Sequence, residues 1–334
     1  MKTDPGTDTA SETTNDTDSD PSMTVVEQTM RAQKDYWREI SQRVSTLETR
    51  DFPHGGPKRI LFFGLGSSYV AAKLCQLTLK RDRTRKRVPI IACPSTHVGL
   101  DAQPAKGDWV FAFTHRASGG PTIQALELAE RLGAFTVQVS AKGVAQHPSA
   151  QYLLPTTPIE RVEPHTAAVT GAICAVTSLL LGDKCVEEWE ALTSLPTPSL
   201  DLCRRRAGKG PQVLIGEWEG EYLAREGALK LMEMARMPTR AFGSEEFFHG
   251  PMYSTTEKDE IWHISLPKDP RNDQIKAAHV VGVFGSSPLA WMPALLELQW
   301  MALAVALNNG VNPDLNLRPA SAVADASGQV SAQV

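Results

Sequence analysis

The sequence is short of cysteine, of long apolar runs and of net charge, and each shortage removes a class of protein. Its five cysteines, Cys75, Cys93, Cys174, Cys185 and Cys203, are odd in number and scattered, with no C-x-x-C pair. That spacing offers neither a disulfide framework nor a zinc site and points to a reducing, cytoplasmic compartment. The longest apolar run, around Ala167–Leu181, is interrupted by Thr170, Thr177 and Ser178. It is too short to cross a bilayer and reads as a buried helix. The opening residues lack the basic-then-apolar pattern of a secretory signal. Formal charge is only −4, and residues 1–22 hold a net −5, so the remainder is near +1. A near-neutral body gives no electrostatic pull on nucleic acid or an acidic membrane, and neither is expected as a partner. His54, His97, His147, His263 and His279 show no ligand spacing, so no metal and no other cofactor is expected.

What remains is an alternating α/β pattern long enough for two domains. Residues 1–22, rich in Thr, Asp, Ser and Pro, read as a disordered acidic tail. A helical pattern from Met23 to about Arg50 leads into apolar strands at Arg59–Gly64, Val88–Cys93, Trp109–Thr114, Ala134–Val139 and Tyr152–Leu154. Helices are expected from Ser67, from Pro121 and over Thr166–Leu181. Strands that are apolar throughout and separated by helices imply a parallel sheet covered on both faces. This first unit spans 23–183, and a charged connector with its own short helix follows at 184–209. A second, cramped unit at 210–324 repeats the start: strand Pro211–Gly216, helix Glu221–Met237, strands Ile261–Leu266 and His279–Phe284, helix Pro293–Asn308. Residues 325–334 read as a disordered tail.

Ligands of parallel sheets sit where strand ends meet helix N-termini. Two loops there stand out. Gly64-Leu65-Gly66-Ser67-Ser68-Tyr69 places tight-turning glycines and two hydroxyls beside unpaired helix N–H groups, a ready anion site. An ordinary helix cap is the alternative role for Ser67. A dinucleotide is disfavoured, because the loop lacks the third glycine of that fingerprint. Thr114-His115-Arg116-Ala117-Ser118-Gly119-Gly120 adds hydroxyls and a guanidinium, whose planar fork suits phosphate. Two such loops at neighbouring strand ends favour a phosphate monoester. Further on, Glu226–Met234 (EGALKLMEM) is followed by Ser244–Pro251 (SEEFFHGP). Helical spacing puts Leu229, Met232 and Ala235 toward the core, with Lys230 and Glu233 elsewhere on the helix surface. A carboxylate and an imidazole suit proton transfer at a sugar carbon and a ring oxygen.

E-G-A-L-K-L-x-E followed by E-x-x-H-G-P resembles the isomerase half of the glucosamine-6-phosphate synthases, proteins with two sugar isomerase (SIS) domains. Glu233 and His249 are sixteen residues apart, as in that motif. The G-S-S turn is similar to the family's G-T-S loop, and Thr114–Ser118 stands where its S-x-S-G phosphate loop would be. The likeness covers roughly Val25 to Ala320, and its specific part is Glu226–Pro251. It implies two SIS-type parallel-sheet α/β/α domains in tandem, the second trimmed.

By that resemblance, Glu233 would shuttle a proton between C1 and C2, and His249 would assist ring opening. The histidine would come from the neighbouring subunit, implying a homodimer with a shared active site. Gly66, Ser67, Ser68, Thr114, His115, Arg116 and Ser118 would surround the phosphate, with Thr166 and Lys230 beside the sugar. The implied partner is a phosphorylated sugar or amino sugar. The sequence as given carries no glutaminase segment, and the family's imine-forming lysine aligns near Ser321, with Arg318 close by. Complete amidotransferase activity is therefore not expected. An isomerase, deaminase or deglycase acting at C1/C2 of a keto- or amino-sugar phosphate is expected instead. The alternative is a non-catalytic sugar-phosphate-binding regulator.

Overall fold

The computed structural model describes residues 23–47, 52–81 and 88–315. The expected tails at 1–22 and 325–334, with Arg318 and Ser321, lie outside the described residues. Two fully parallel sheets form the frame. The first holds β1 (Ile60–Gly64), β2 (Ile90–Pro94), β3 (Trp109–Phe113), β4 (Phe135–Ser140) and β5 (Tyr152–Pro155), in the order β2-β1-β3-β4-β5. The second holds β6 (Gln212–Gly216), β7 (Thr239–Gly243), β8 (Glu260–Ser265) and β9 (His279–Gly282), in the order β7-β6-β8-β9. Nine helices accompany them among the described residues. They are α1 (Val25–Ser45), α2 (Ser67–Arg81), α3 (Pro121–Arg131), α4 (Ala167–Leu181), α5 (Asp183–Thr193), α6 (Leu200–Arg206), α7 (Glu219–Ala235), α8 (Ser244–Phe248) and α9 (Met292–Asn308). None is long and apolar enough to cross a membrane.

The side-chain alternation of each strand feeds two faces. Phe62, Phe111 and Val137 of the first sheet join Leu214, Trp262 and Ile264 of the second, together with α2, α4, α7 and α9, in one continuous core. Leu61, Phe63 and Val110 point the other way, under Ala125 and Ala129 of α3. Val213 and Ile215 do the same beneath Phe247 of α8. The α/β/α layering inferred from apolar strands is therefore present twice, with four strands in the second sheet against five in the first.

The inner helices weld the two units. Arg81 of α2 pairs with buried Glu219 of α7 at 2.6 Å, and the indole of Trp291 donates to Thr78 at 3.3 Å. At the far end of the chain, Asp314 accepts from the N–H groups of Val25 and Val26 at 2.7 and 3.0 Å. Its carboxylate thus sits at the positive end of α1.

Strand β7 was not expected. Its sequence, TRAFG, has no apolar run, because it is an edge strand and four of its five residues are only half-buried. The connector at 184–209 carries α6 and most of α5, where one short helix was expected.

Both sheets open into their helices through the same contact. A Cβ on Gly64 would lie 2.6 Å from the backbone carbonyl of Ser68, and one on Gly216 would lie 2.6 Å from that of Gly220. Backbone cannot yield as a flexible side chain can. Gly216→Ala is therefore expected to lower unfolding free energy by about 3 kcal/mol in chemical denaturation. A loss within about 0.5 kcal/mol would show that this strand–helix junction is loose.

Candidate active site

The two loops singled out in the sequence meet at the carboxyl end of the first sheet. Gly66, at φ +53°, turns the chain after β1 so that α2 starts at Ser67. After β3, Ala117, Gly119 and Gly120 all take positive φ, and Ala117 N–H donates to Thr114 Oγ1 at 3.2 Å. This compact turn ends where Pro121 opens α3. Between the loops and the start of α4 lies a cavity of about 30 Å³, room for a few waters at most. Ser67, Ser68, Thr114, His115, Thr156 and His165 supply its polar lining, over an apolar floor that includes Phe113 and Val139. Gly66, Arg116, Ser118 and Thr166 do not line it. Arg116 Nη2 instead donates to the carbonyl of Glu160 at 2.8 Å.

Helix α7 brings charge to the same place. Lys230 and Glu226 are fully buried, and Met232 is 44% exposed. This corrects the face assigned from helical spacing for Met232 and Lys230, whereas Ala235 is buried as expected. Glu226, Lys230, Leu231 and Met234 point inward, because α7 is enclosed by its own sheet, α2 and α9 and buries a broad arc. Lys230 Nζ lies 2.6 Å from Glu233 Oε2 and 3.5 Å from Glu226 Oε1. Ser67 Oγ donates to Glu226 Oε1 at 3.0 Å. A continuous polar path therefore runs from the cavity wall at Ser67, through Glu226 and Lys230, to the partly exposed carboxylate of Glu233.

Two carboxylates share one ammonium, and the excess falls on the more buried acid. Burial pushes the Glu226 carboxyl upward, and Lys230 offsets this only in part. Burial by itself would lower Lys230, but Glu226 and Glu233 outweigh it and hold the amine protonated. Glu226 Oε2 has no hydrogen-bond partner among the described residues.

Opposite stands a second buried acid, Glu160. Its carboxylate accepts from Thr166 N–H at 3.0 and 3.1 Å and from Ala168 N–H, at the start of α4. Burial raises it to about 7, against the opposing pull of these bonds and of Lys230. Its backbone N–H donates to His115 Nε2 at 2.9 Å. The rings of His115 and His165 lie 4.7 Å apart. Burial above all holds both imidazoles down to about 4, so both are neutral near pH 7.

Lys230, Glu233 and His249 do not line the cavity either, and His249 also stands outside the polar path. It follows α8, with a side chain 75% exposed, and its Nε2 lies 3.3 Å from Glu245 Oε1. Arg271 grips that same Glu245 with two bonds, at 2.6 and 2.7 Å.

Glu226, Glu160 and His165 were missed by sequence reading. Glu226 could have been found, since it stands four residues before Lys230 on a helix, the spacing at which opposite charges meet. Glu160 gives no such signal, lying in a loop six residues before the Thr166 cap. Among the described residues, no group of three or more His, Cys, Asp or Glu side chains could hold a metal ion.

No protein-family model matches the chain, and no curated protein matches it in sequence. Solved structures do match in fold. The C-terminal domain of glucosamine-fructose-6-phosphate aminotransferase from Francisella tularensis superposes with a TM-score of 0.72 at 14% identity, covering 88% of this chain and 98% of that one. Glucosamine-6-phosphate deaminase from Thermotoga maritima gives 0.68 at 17% identity, over 87% and 97%. Tagatose-6-phosphate ketose/aldose isomerase from Escherichia coli gives 0.68 at 17%, over 87% and 94%. The chain thus has the double SIS-domain fold over nearly its whole described length.

Removing the buried ammonium should leave Glu226 without its counter-charge in a buried site. Lys230→Met is expected to cost about 3–5 kcal/mol of stability in denaturant unfolding, with part regained in the Lys230→Met/Glu226→Gln double variant. No loss would mean that the cluster is hydrated. A second expectation concerns pH. The raised carboxyl of Glu160 binds its proton more tightly in the folded than in the unfolded state. Its contribution to stability is full below the unfolded value of 4.5 and is lost as pH rises through about 7. The melting temperature of Glu160→Gln, relative to wild type, should therefore climb from about pH 5 to about pH 7.5. A constant difference would remove Glu160 as a titrating group.

Proposed function

We propose that this protein is an enzyme acting at C1 and C2 of a keto- or amino-sugar phosphate, as an isomerase, deaminase or deglycase. The observation that carries this reading is the polar path from the cavity wall at Ser67 through Glu226 and Lys230 to Glu233. The chemistry of a phosphoryl group suits the first end, where the hydroxyl residues Ser67, Ser68 and Thr114 line the cavity at the start of α2. The sugar then extends toward α7, where Glu233 acts as the base that moves a proton between adjacent carbons. Lys230, beside it, stays protonated and stabilises negative charge developing on the substrate's oxygen as that proton leaves.

Burying the Lys230 ammonium and the Glu226 carboxylate is expensive. A domain that only senses a ligand gains nothing from a proton-transfer set assembled at that expense, which favours the enzyme over the regulator. The exposure of His249, outside the lining of its own cavity, supports a second part of the reading. An exposed imidazole on a turn is available to a neighbouring subunit, as expected of a homodimer with shared sites. The lysine aligned elsewhere with imine formation has no counterpart in the described residues. A substrate that already carries its amine, or a plain ketose–aldose interconversion, needs none. The structures of similar fold include a deaminase and a ketose/aldose isomerase.

Glu233→Gln should lower turnover of the responsive hexose phosphate by about a hundredfold or more while leaving its binding nearly unchanged. Unaltered turnover would take Glu233 out of the chemistry. Mixing Glu233→Gln with His249→Ala chains should restore up to about a quarter of wild-type activity if sites are shared across a two-fold dimer. No recovery would place each site within one chain.

A further inference from the structure

We infer that Glu160 is the positioning residue of the anion cavity: it locks His115 as a neutral N–H donor and fixes the loop and the helix on either side. The inference rests on the sugar-phosphate reading and deepens it by naming what shapes the phosphate end. Three groups of this residue each hold a different part. Its backbone N–H donates to His115 Nε2 at 2.9 Å. Its carbonyl accepts from Arg116 Nη2 at 2.8 Å. Its carboxylate takes the N–H groups of Thr166 and Ala168, the first donors of α4.

The first contact sets a tautomer. A backbone N–H can only donate, so Nε2 must carry the lone pair and the neutral ring must carry its hydrogen on Nδ1. His115 lines the cavity, so the ring offers it a neutral donor. The second contact explains why Arg116 faces Glu160 and leaves the cavity. The anion then meets hydroxyls and the neutral imidazoles of His115 and His165, with no guanidinium at its side. The third contact occupies the amides at the start of α4. Only α2 and the Thr114–Gly120 turn are left to receive a phosphoryl group.

Ordinary helix capping does not account for this arrangement. Thr166 occupies the cap position and makes no side-chain cap bond. The cap comes instead from a carboxylate on a residue only 4% exposed. A buried acid is a costly way to end a helix when a local hydroxyl would serve. The groups facing Glu160 are Lys230 of α7, Tyr36 of α1, and Arg116 and His115 of the loop after β3. None of them accepts the two amides in its place.

The test uses the full chain with fructose 6-phosphate and inorganic phosphate as probes, followed by calorimetry, and with ¹⁵N spectra of the His115 ring. Wild type should bind and show a single Nδ1–H tautomer. Glu160→Ala should weaken both probes by about tenfold or more and mix the His115 tautomers, whereas Glu160→Gln, whose amide oxygen can take both N–H groups, should stay within about threefold of wild type. If Glu160→Ala does not fold, Glu160→Asp, one methylene too short to reach both amides, should show the same loss. Wild-type affinity and an unchanged ring in either variant would overturn the assignment. Should wild type bind neither probe, the sugar-phosphate reading fails. The ring spectra then decide the positioning role alone: mixed tautomers in the variant uphold it, and an unchanged ring sinks it.

Discussion

Lys230 is the constraint around which the molecule is organised. A fully buried ammonium is tolerable only when carboxylates surround it. Glu226 and Glu233 stand one helical turn before and after it, so α7 supplies the neutralising charges from its own length. The same Glu226 oxygen also accepts from Ser67 of α2, in the other unit. Charge neutralisation on one helix thereby fixes the relation between two domains. The Arg81–Glu219 pair reinforces the same contact farther along α2. A shift of α7 along α2 would break the Ser67–Glu226 bond at the cavity wall and the Arg81–Glu219 pair together, so packing and the polar path are set by the same few atoms.

The fold was readable because parallel strands covered on both faces are apolar throughout, and β1 and β6 are buried at every residue. Where that condition lapses, reading lapses too: β7, at an edge, has no such signature. The loops were readable because Gly64-Leu65-Gly66 and Gly119-Gly120-Pro121 punctuate a strand-to-helix change. The inner face of α7 was misjudged. Helical periodicity assumes that charges face water, and here Glu226 and Lys230 are buried and an exposed Met232 takes the outside. Glu160 was beyond reach for a different reason. Its partners His115, Arg116, Thr166 and Ala168 come from two segments that only the folded chain brings together.

The His249 turn shows how a mobile-looking feature can be held in place. Its neighbour Glu245 is clamped by Arg271, whose guanidinium also lies 4.9 Å from the centre of the Phe248 ring. Arg271 and His249 beside it hold Glu245 well below the usual carboxylate range, at about 2. Beneath, buried Ser244 donates to Asp269 at 2.6 Å, and the His263 ring approaches that same Asp269 at 3.4 Å. An exposed imidazole is thus carried on a base with little freedom.

The two strand–glycine–helix junctions share a backbone and differ in what they do with it. Gly66 and Trp218 hold corresponding places, at φ +53° and +50°. That conformation is natural for glycine and strained for tryptophan, at about 1–3 kcal/mol. In the first junction Ser67 and Ser68 follow the turn and line the cavity. In the second, the carboxylate of Glu217 accepts from the N–H of Glu245 at 3.1 Å and so supports α8. The same turn borders a cavity in the first unit and, in the second, braces the segment that carries His249. Repeated architecture here yields one hollow and one strut.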